Sequence, residues 1–171
     1  LALMGHMGSG KSILGKIISK QLNFNHVDSD KLIEKKSNKT INEIFQTKGE
    51  SYFRLIEENV ILETIYQKKL VLSLGGGSIL SPKIRKALKG NFLTVFLDVD
   101  FAILSKRLIK SKRRPLINDT NIEEKIKELD AIRRKFYLLA DITLKNHLTI
   151  TDAFAEFRKK YIEFYEKYNS N

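Results

Sequence analysis

The sequence predicts an α/β domain built on a parallel sheet. Five apolar, β-prone runs alternate with segments of helical periodicity, and they span residues 1–4, about 25–28, 70–74, 93–97 and 141–144. Strands that alternate with helices favour right-handed crossovers, which connect parallel strands. A glycine-rich loop follows the first run and leads into the first helical pattern. At 171 residues the chain is long enough for one domain, and no stretch is typical of a linker.

Several helix boundaries are marked by capping residues. Thr40 with Glu43 has the spacing of a capping box, and Gly90 is placed to end the helix that starts near residue 82. The segment 109–120, IKSKRRPLINDT, loses helical periodicity, gathers positive charge and contains a proline. It is predicted to be a loop between two helices and a candidate lid.

The composition limits the classes of partner. The formal net charge is +11, but basic residues are spread over nearly every predicted helix with acidic residues between them. This pattern favours a solvated exterior over a nucleic-acid footprint. The chain has no cysteine, and it has no apolar stretch near the ~20 residues of a membrane span. We therefore expect a cytoplasmic protein without a membrane or nucleic-acid partner.

The loop GHMGSGKS, residues 5–12, has the pattern of a phosphate-binding loop between a strand and a helix. Its glycines allow backbone N–H groups to converge on a polyphosphate, and the helix adds its positive dipole end. Lys11 is expected to reach the β- and γ-phosphates, and Ser12 to offer an oxygen to Mg²⁺. The residues predicted to bind ATP from this segment are Gly8, Ser9, Gly10, Lys11, Ser12 and Ile13.

Two aspartates, Asp28 and Asp30, follow the second apolar run. In a strand their side chains share one face, at the sheet edge where ligands bind. One could then lie near the metal and the other near a substrate hydroxyl. The alternative is that Asp30 caps the next helix and Asp28 belongs to a turn. The third run carries no aspartate at its end, so Asp28 is the candidate to support Mg²⁺ beside Ser12.

The triplet Gly75, Gly76 and Gly77 follows the third run. Three glycines form a flexible turn, but at the edge of a sheet they also allow close approach of a ligand to the backbone, and we favour this interpretation.

Arg54 and Glu57 are three residues apart on a predicted helix, so the carboxylate could hold the guanidinium rigidly for bidentate binding of a substrate carboxylate. A surface ion pair is the alternative. Phe45 and Phe53 are expected to pack in the core, at least in part.

Together these motifs resemble the shikimate kinase family over essentially the whole chain. The matching segments are GHMGSGKS, DSD, INEIFQTKGESYFRLIEE, SLGGG, RRPL and RRKFYLLAD. The resemblance implies transfer of the ATP γ-phosphate to the 3-hydroxyl of shikimate, giving shikimate 3-phosphate and ADP, in chorismate and aromatic amino acid biosynthesis. It also implies a three-layer α/β/α sandwich whose five parallel strands have the order 2-3-1-4-5, with a shikimate-binding segment at about 29–60.

The resemblance further implies a role for individual residues. Asp30 is expected to bind the hydroxyls of shikimate, and Arg54 and Arg133 its carboxylate. Gly76 is expected to be the glycine that contacts the substrate. Arg134 is the neighbouring alternative to Arg133. Arg107 is expected to stack on adenine, and Arg114 to be the catalytic arginine of the lid. Ser12 and Asp28 are expected to bind Mg²⁺. The residues expected around the shikimate pocket are Phe45, Phe53, Glu57, Gly75 and Gly77.

The resemblance has departures and leaves two alternatives open. Lys135 stands where members commonly have a proline, and the segment KNHLTI, residues 145–150, lacks the usual marks of an adenine-binding segment, so no contact is assigned there. A gluconate-kinase-like enzyme shares the phosphate loop without requiring the two-arginine clamp, and a nucleic-acid-binding ATPase is the alternative outside metabolite kinases. We expect a monomer with ATP as co-substrate and Mg²⁺ as cofactor.

Overall fold

The structure is a computed structural model that describes residues 1–110, 122–145 and 149–169. Within these ranges the strands are β1 (Ala2–Met4), β2 (Asn25–Asp28), β3 (Leu70–Ser73), β4 (Thr94–Asp98) and β5 (Ile142–Lys145). The α-helices are α1 (Lys11–Leu22), α2 (Ser29–Ser37), α3 (Ile41–Thr64), α4 (Pro82–Leu88), α5 (Phe101–Lys110), α6 (Ile122–Tyr137) and α7 (Ile150–Asn169). The predicted strands are confirmed to within two residues at each end.

The five strands form one parallel sheet in the order β2-β3-β1-β4-β5, as expected. The register places Ala2 opposite both Leu72 of β3 and Thr94 of β4. The first strand is therefore the central one. Strands β2 and β3 lie on one side of it, and β4 and β5 lie on the other. Ligands of such sheets bind at the carboxyl edge where the strand order reverses, and the loop after β1 lies there.

Helices cover both faces of the sheet, which gives the predicted three layers. Successive side chains of β1 point to opposite faces: Leu3 packs with Leu14 of α1 and Phe157 of α7, whereas Met4 packs with Ile61 of α3 and Tyr137 of α6. A third buried cluster lies apart from the sheet, between α2 and α3, and consists of Ile33, Ile44, Phe53 and Val60.

Two predicted helix boundaries are confirmed and one is wrong. Thr40 and Glu43 form the expected capping box at the start of α3, and Gly90 follows α4 with φ +78°. Residues 109 and 110 still belong to α5, so that end of the predicted loop at 109–120 was wrong; 111–120 lie outside the described residues. The helix α3 is interrupted at Gly49, whose φ and ψ are 79° and 172°.

A helix that spans a bilayer must be both long and apolar. In the parts of the chain that the structure describes, none is long and apolar enough to cross a membrane.

Candidate active site

The phosphate loop surrounds the amine of Lys11. Lys11 is the first residue of α1, and its Nζ donates to the carbonyls of Gly5 (2.9 Å) and His6 (2.7 Å). Gly8 and Gly10 have φ values of 81° and 100°, which side chains disfavour, so glycine is needed for the loop to close around the amine. The result is a concave loop at a helix N-terminus with a buried cation beside it, the arrangement that binds polyphosphates.

Asp28 links the phosphate loop to the second strand. Its carboxylate accepts hydrogen bonds from the Ser12 hydroxyl and from the Lys31 backbone N–H (3.2 Å), and the second bond caps α2. Because the chain turns into a helix at Ser29, Asp28 and Asp30 do not share a strand face, and the predicted geometry was wrong. Asp28 is the cap, not Asp30, so the alternative assignment of Asp30 as cap was also wrong. The Ser12 and Asp28 oxygens meet at the head of α1.

A cavity of about 410 Å³ opens beside the loop. Its walls come from the phosphate loop, α2, α3, the turn after β3, and α6. Eight of the residues predicted to bind the acceptor line it: Asp30, Phe45, Phe53, Arg54, Glu57, Gly76, Gly77 and Arg133. Phe45 and Phe53 form the apolar wall, with ring centroids 4.8 Å apart.

Arg54 is held by carboxylates on its own helix. Its Nη1 donates to Glu57 Oε2 at 2.7 Å, as the spacing predicted, and its Nη2 to Glu50 Oε1 at 3.0 Å. The Glu57 side chain is 3% exposed and also accepts from the Ser78 hydroxyl at 2.7 Å. Burial raises the pKa of Glu57, while Arg54 opposes that shift. Burial disfavours the Arg54 cation, but the two carboxylates outweigh it and raise the pKa of Arg54. The ion pair between Arg54 and Glu57 is therefore not a surface ion pair, because the Glu57 carboxylate is buried.

The three glycines after β3 give the site's charged side chains room. A Cβ at Gly75 would lie 2.5 Å from Asp30 Oδ1 and 2.7 Å from Glu57 Oε1. A Cβ at Gly77 would lie 2.6 Å from Arg54 Nη2, whereas at Gly76 the nearest atom is Arg133 Nη1 at 3.3 Å. The bare backbone therefore lets two carboxylates and two guanidinium groups converge on one turn.

The two candidate arginines of α6 have different surroundings. Arg133 is 9% exposed and lines the cavity, and its buried Nε has no hydrogen-bond partner among the described residues. Arg134 instead donates from Nη2 and Nη1 to the carboxylate of Asp98, at 3.0 and 3.2 Å. The structure thus brings Arg133, and not Arg134, to the acceptor cavity.

A smaller cavity of about 210 Å³ lies on the other side of the phosphate loop. Its lining is mostly apolar and includes Ile13, Leu97, Val99, Leu144 and Ile150. Arg107 also lines this cavity, and its Nη1 donates to the Gly8 carbonyl at 3.2 Å. The predicted lid arginine, Arg114, lies outside the described residues.

Three residues of the site were not singled out as functional from the sequence: His6, Asp130 and Tyr137. The ring of His6 donates from Nε2 to Asp130 Oδ1 at 2.7 Å, and the Tyr137 hydroxyl donates to the Gly76 carbonyl at 2.5 Å. Burial lowers the pKa of His6, although Asp130 opposes the shift, and raises the pKa of Tyr137 to about 12. Contacts between residues 124 positions apart leave no signal in local sequence patterns.

The fold and the site define a phosphate-loop kinase for a small anionic acceptor, because a polyphosphate loop adjoins a cavity that holds two arginines. A family model described as "Shikimate kinase" matches residues 7–163. The chain belongs to the shikimate kinase family. It is therefore an ATP-dependent kinase that phosphorylates a hydroxyl of shikimate in aromatic amino acid biosynthesis.

Individual relatives agree with this membership. The chain is 41% identical to a shikimate kinase of Bartonella henselae, over 86% of this chain and 70% of that protein. It is 35% identical to one from Thermoanaerobacter pseudethanolicus, over 95% of both. A solved shikimate kinase from Acinetobacter baumannii in complex with shikimate superposes with a TM-score of 0.88 at 32% identity, covering 97% of this chain and 92% of that one.

A gluconokinase from Sinorhizobium meliloti also superposes, with a TM-score of 0.70 at 18% identity, covering 98% of this chain and 94% of that one. At that identity the likeness concerns the fold alone.

Proposed function

We propose that the 410 Å³ cavity holds shikimate, with its carboxylate on two arginines and its 3-hydroxyl turned towards ATP on the phosphate loop. The observation that carries this proposal is the convergence of Arg54, Arg133 and Asp30 in one cavity whose wall includes the phosphate loop. The cavity offers cations for a carboxylate and an acid for hydroxyls, with an aromatic wall for a ring. These match the three chemical features of the acceptor.

The two arginines would bind the carboxylate in different ways. Arg54 is oriented by Glu57 and Glu50, so it offers a fixed planar donor group. Arg133 has a buried Nε–H without a partner among the described residues, and an unpaired buried donor is costly. A bound carboxylate removes that cost. This supports Arg133 as the second half of the clamp.

Asp30 would act on the acceptor hydroxyl, and Lys11 on the phosphoryl group that is transferred. The Asp30 carboxylate accepts a hydrogen bond from the acceptor hydroxyl and orients its oxygen towards the γ-phosphorus. That oxygen forms a bond to phosphorus as the bond to the β-γ bridging oxygen breaks, its proton passes to the Asp30 carboxylate, and ADP leaves. Lys11 neutralises charge on the transferred group, which is the main task of the protein in such reactions. Arg114 is proposed to add a second cation from the lid.

Mg²⁺ would be held by Ser12 and Asp28. The site offers two oxygen ligands, Ser12 Oγ and Asp28 Oδ2, already in contact at the phosphate loop. The described residues hold no cluster of three or more His, Cys, Asp or Glu suited to a metal. A site with few protein ligands is suitable for Mg²⁺, because this ion usually keeps several of its waters and also binds the phosphates of the substrate. When bound, the ion neutralises phosphate charge.

The apolar cavity bordered by Arg107 is proposed to receive the adenine. Its lining residues Leu97, Val99 and Leu144 offer apolar surface to the base, and the Arg107 guanidinium can stack on it. The enzyme is proposed to act as a monomer. Dependence on ATP and the absence of cysteine support action in the cytoplasm.

The test is ADP release measured with shikimate, with gluconate and with no acceptor. We expect shikimate-dependent turnover well above the other two. Turnover with gluconate but not shikimate would contradict the proposal. A filter-binding assay at two salt concentrations tests the nucleic-acid alternative, for which steeply salt-dependent retention is expected; we expect none.

A further inference from the structure

A buried hydrogen bond between His6 and Asp130 joins the phosphate loop to α6. His6 is the second residue of the loop, and its backbone carbonyl accepts from Lys11 Nζ at 2.7 Å. Its ring donates from Nε2 to Asp130 Oδ1, also at 2.7 Å, and the two side chains are only 7% and 9% exposed. One residue therefore contacts both the phosphate-binding lysine and the helix that carries Arg133.

Asp130 and Tyr137 attach α6 on either side of Arg133. Asp130 lies three residues before Arg133, about one helical turn, and Tyr137 lies four residues after it. The Tyr137 hydroxyl donates to the Gly76 carbonyl, and its ring meets the His6 ring edge-on with centroids 5.2 Å apart. The helix is thus fixed to the loop and to the glycine turn at positions that flank the clamp arginine.

The other side of α6 has its own attachment. Arg134 binds Asp98 at the end of β4 and makes a longer contact with Asp130 Oδ2 at 3.4 Å. Asp130 therefore uses one oxygen for His6 and the other for Arg134. These two contacts restrict rotation of the Asp130 side chain. They therefore also fix the orientation of the next turn of α6, which carries Arg133.

We infer that His6 and Asp130 are positioning residues for the acceptor: their hydrogen bond holds Arg133 over the cavity and so lowers the KM for shikimate. This inference rests on the proposed acceptor site. A guanidinium that is displaced by about 1 Å loses much of its effect on a bound substrate. Loss of the bond should therefore appear in the KM for shikimate and leave the KM for ATP nearly unchanged, because Lys11 contacts the His6 backbone, not its ring.

The test measures both KM values for Asp130→Ala, Asp130→Asn and His6→Phe. Asp130→Ala and His6→Phe should each raise the KM for shikimate about tenfold, with the KM for ATP within about twofold. Asp130→Asn keeps an oxygen that accepts from His6 and should recover most of the affinity. The control is Glu123→Ala on the same helix, which removes an exposed ion pair with Lys127 (2.9 Å) and should change neither KM.

A double variant, His6→Phe with Asp130→Ala, tests whether the two residues act through each other. If they do, its KM for shikimate should be no higher than that of either single variant. The inference is overturned if the single variants lower the melting temperature but leave the KM for shikimate within twofold, if both KM values rise equally, or if the two effects multiply. Failure of the proposed function is a different result, namely no turnover of shikimate by the unaltered enzyme.

Discussion

Replacement of Gly77 by alanine should damage acceptor binding while the protein stays folded. The φ of Gly77 is −92°, which alanine accepts, so no backbone strain is added. The added Cβ, however, would lie 2.6 Å from Arg54 Nη2 and 2.7 Å from Arg54 Cζ, against an ordinary contact of at least 3.4 Å. The Nη1 atom of Arg54 would lie closer still, so the guanidinium must move by at least about 0.8 Å, the difference between 3.4 and 2.6 Å. Its bonds to Glu57 and Glu50 oppose that movement.

A displacement of this size in a substrate-orienting group costs on the order of 10- to 100-fold in kcat/KM, or about 1.4–2.7 kcal/mol of transition-state stabilisation. The assay is steady-state kinetics with shikimate, together with urea unfolding. The matched control is Gly90→Ala, where the φ of +78° is strained but an added Cβ meets no described atom within 4 Å. It should lose about 1 kcal/mol of stability and keep its kinetics. A Gly77→Ala enzyme with kcat/KM within twofold of the unaltered enzyme would refute the reasoning.

Three further predictions concern charge. Lys11→Ala should lower kcat at least 100-fold, while loss of its carbonyl contacts lowers Tm by only a few degrees; near-normal kinase activity would show that the lysine does not serve ATP. Arg54→Lys should lower kcat/KM for shikimate at least tenfold, since an ammonium cannot replace a planar bidentate donor, and an unchanged value would exclude the clamp. The free energy of unfolding should fall between pH 7 and 5.5: burial lowers the pKa of His6 and of His26 below the ordinary 6.5, so the unfolded chain takes up protons first. A His6→Gln, His26→Gln variant should show a smaller decrease in urea titrations, and an equal one would contradict this assignment.

The strands and one ion pair of the site could be predicted from local patterns in the sequence. The strands follow from apolar runs bounded by turn residues, and the pair Arg54–Glu57 follows from helical spacing. The strand order was not visible in those patterns and came from the resemblance to a family. The shared strand face of Asp28 and Asp30 was wrong because an N-cap hydrogen bond ends β2 at Asp28, and periodicity does not show where a strand turns into a helix.

The charged part of the site depends on contacts between distant segments. Arg133 and Arg134 are adjacent in the sequence, and only the position of Asp98 at the end of β4 separates their roles. The sequence likewise gave no reason to pair His6 with Asp130. Eight of the predicted site residues converge in one cavity, and their roles in binding stay predictions.

The interruption of α3 at Gly49 has a consequence for cooperativity. The cluster of Ile33, Ile44, Phe53 and Val60 is separate from the two clusters that cover the sheet, and small separate cores open with lower free energy than the global transition. The unit comprises α2 and the part of α3 that packs on it, on both sides of Gly49. We expect its amides to exchange with deuterium before those of the central strands. Because Asp30 and Arg54 belong to this unit, shikimate should slow its exchange selectively, and the extent of slowing should follow occupancy.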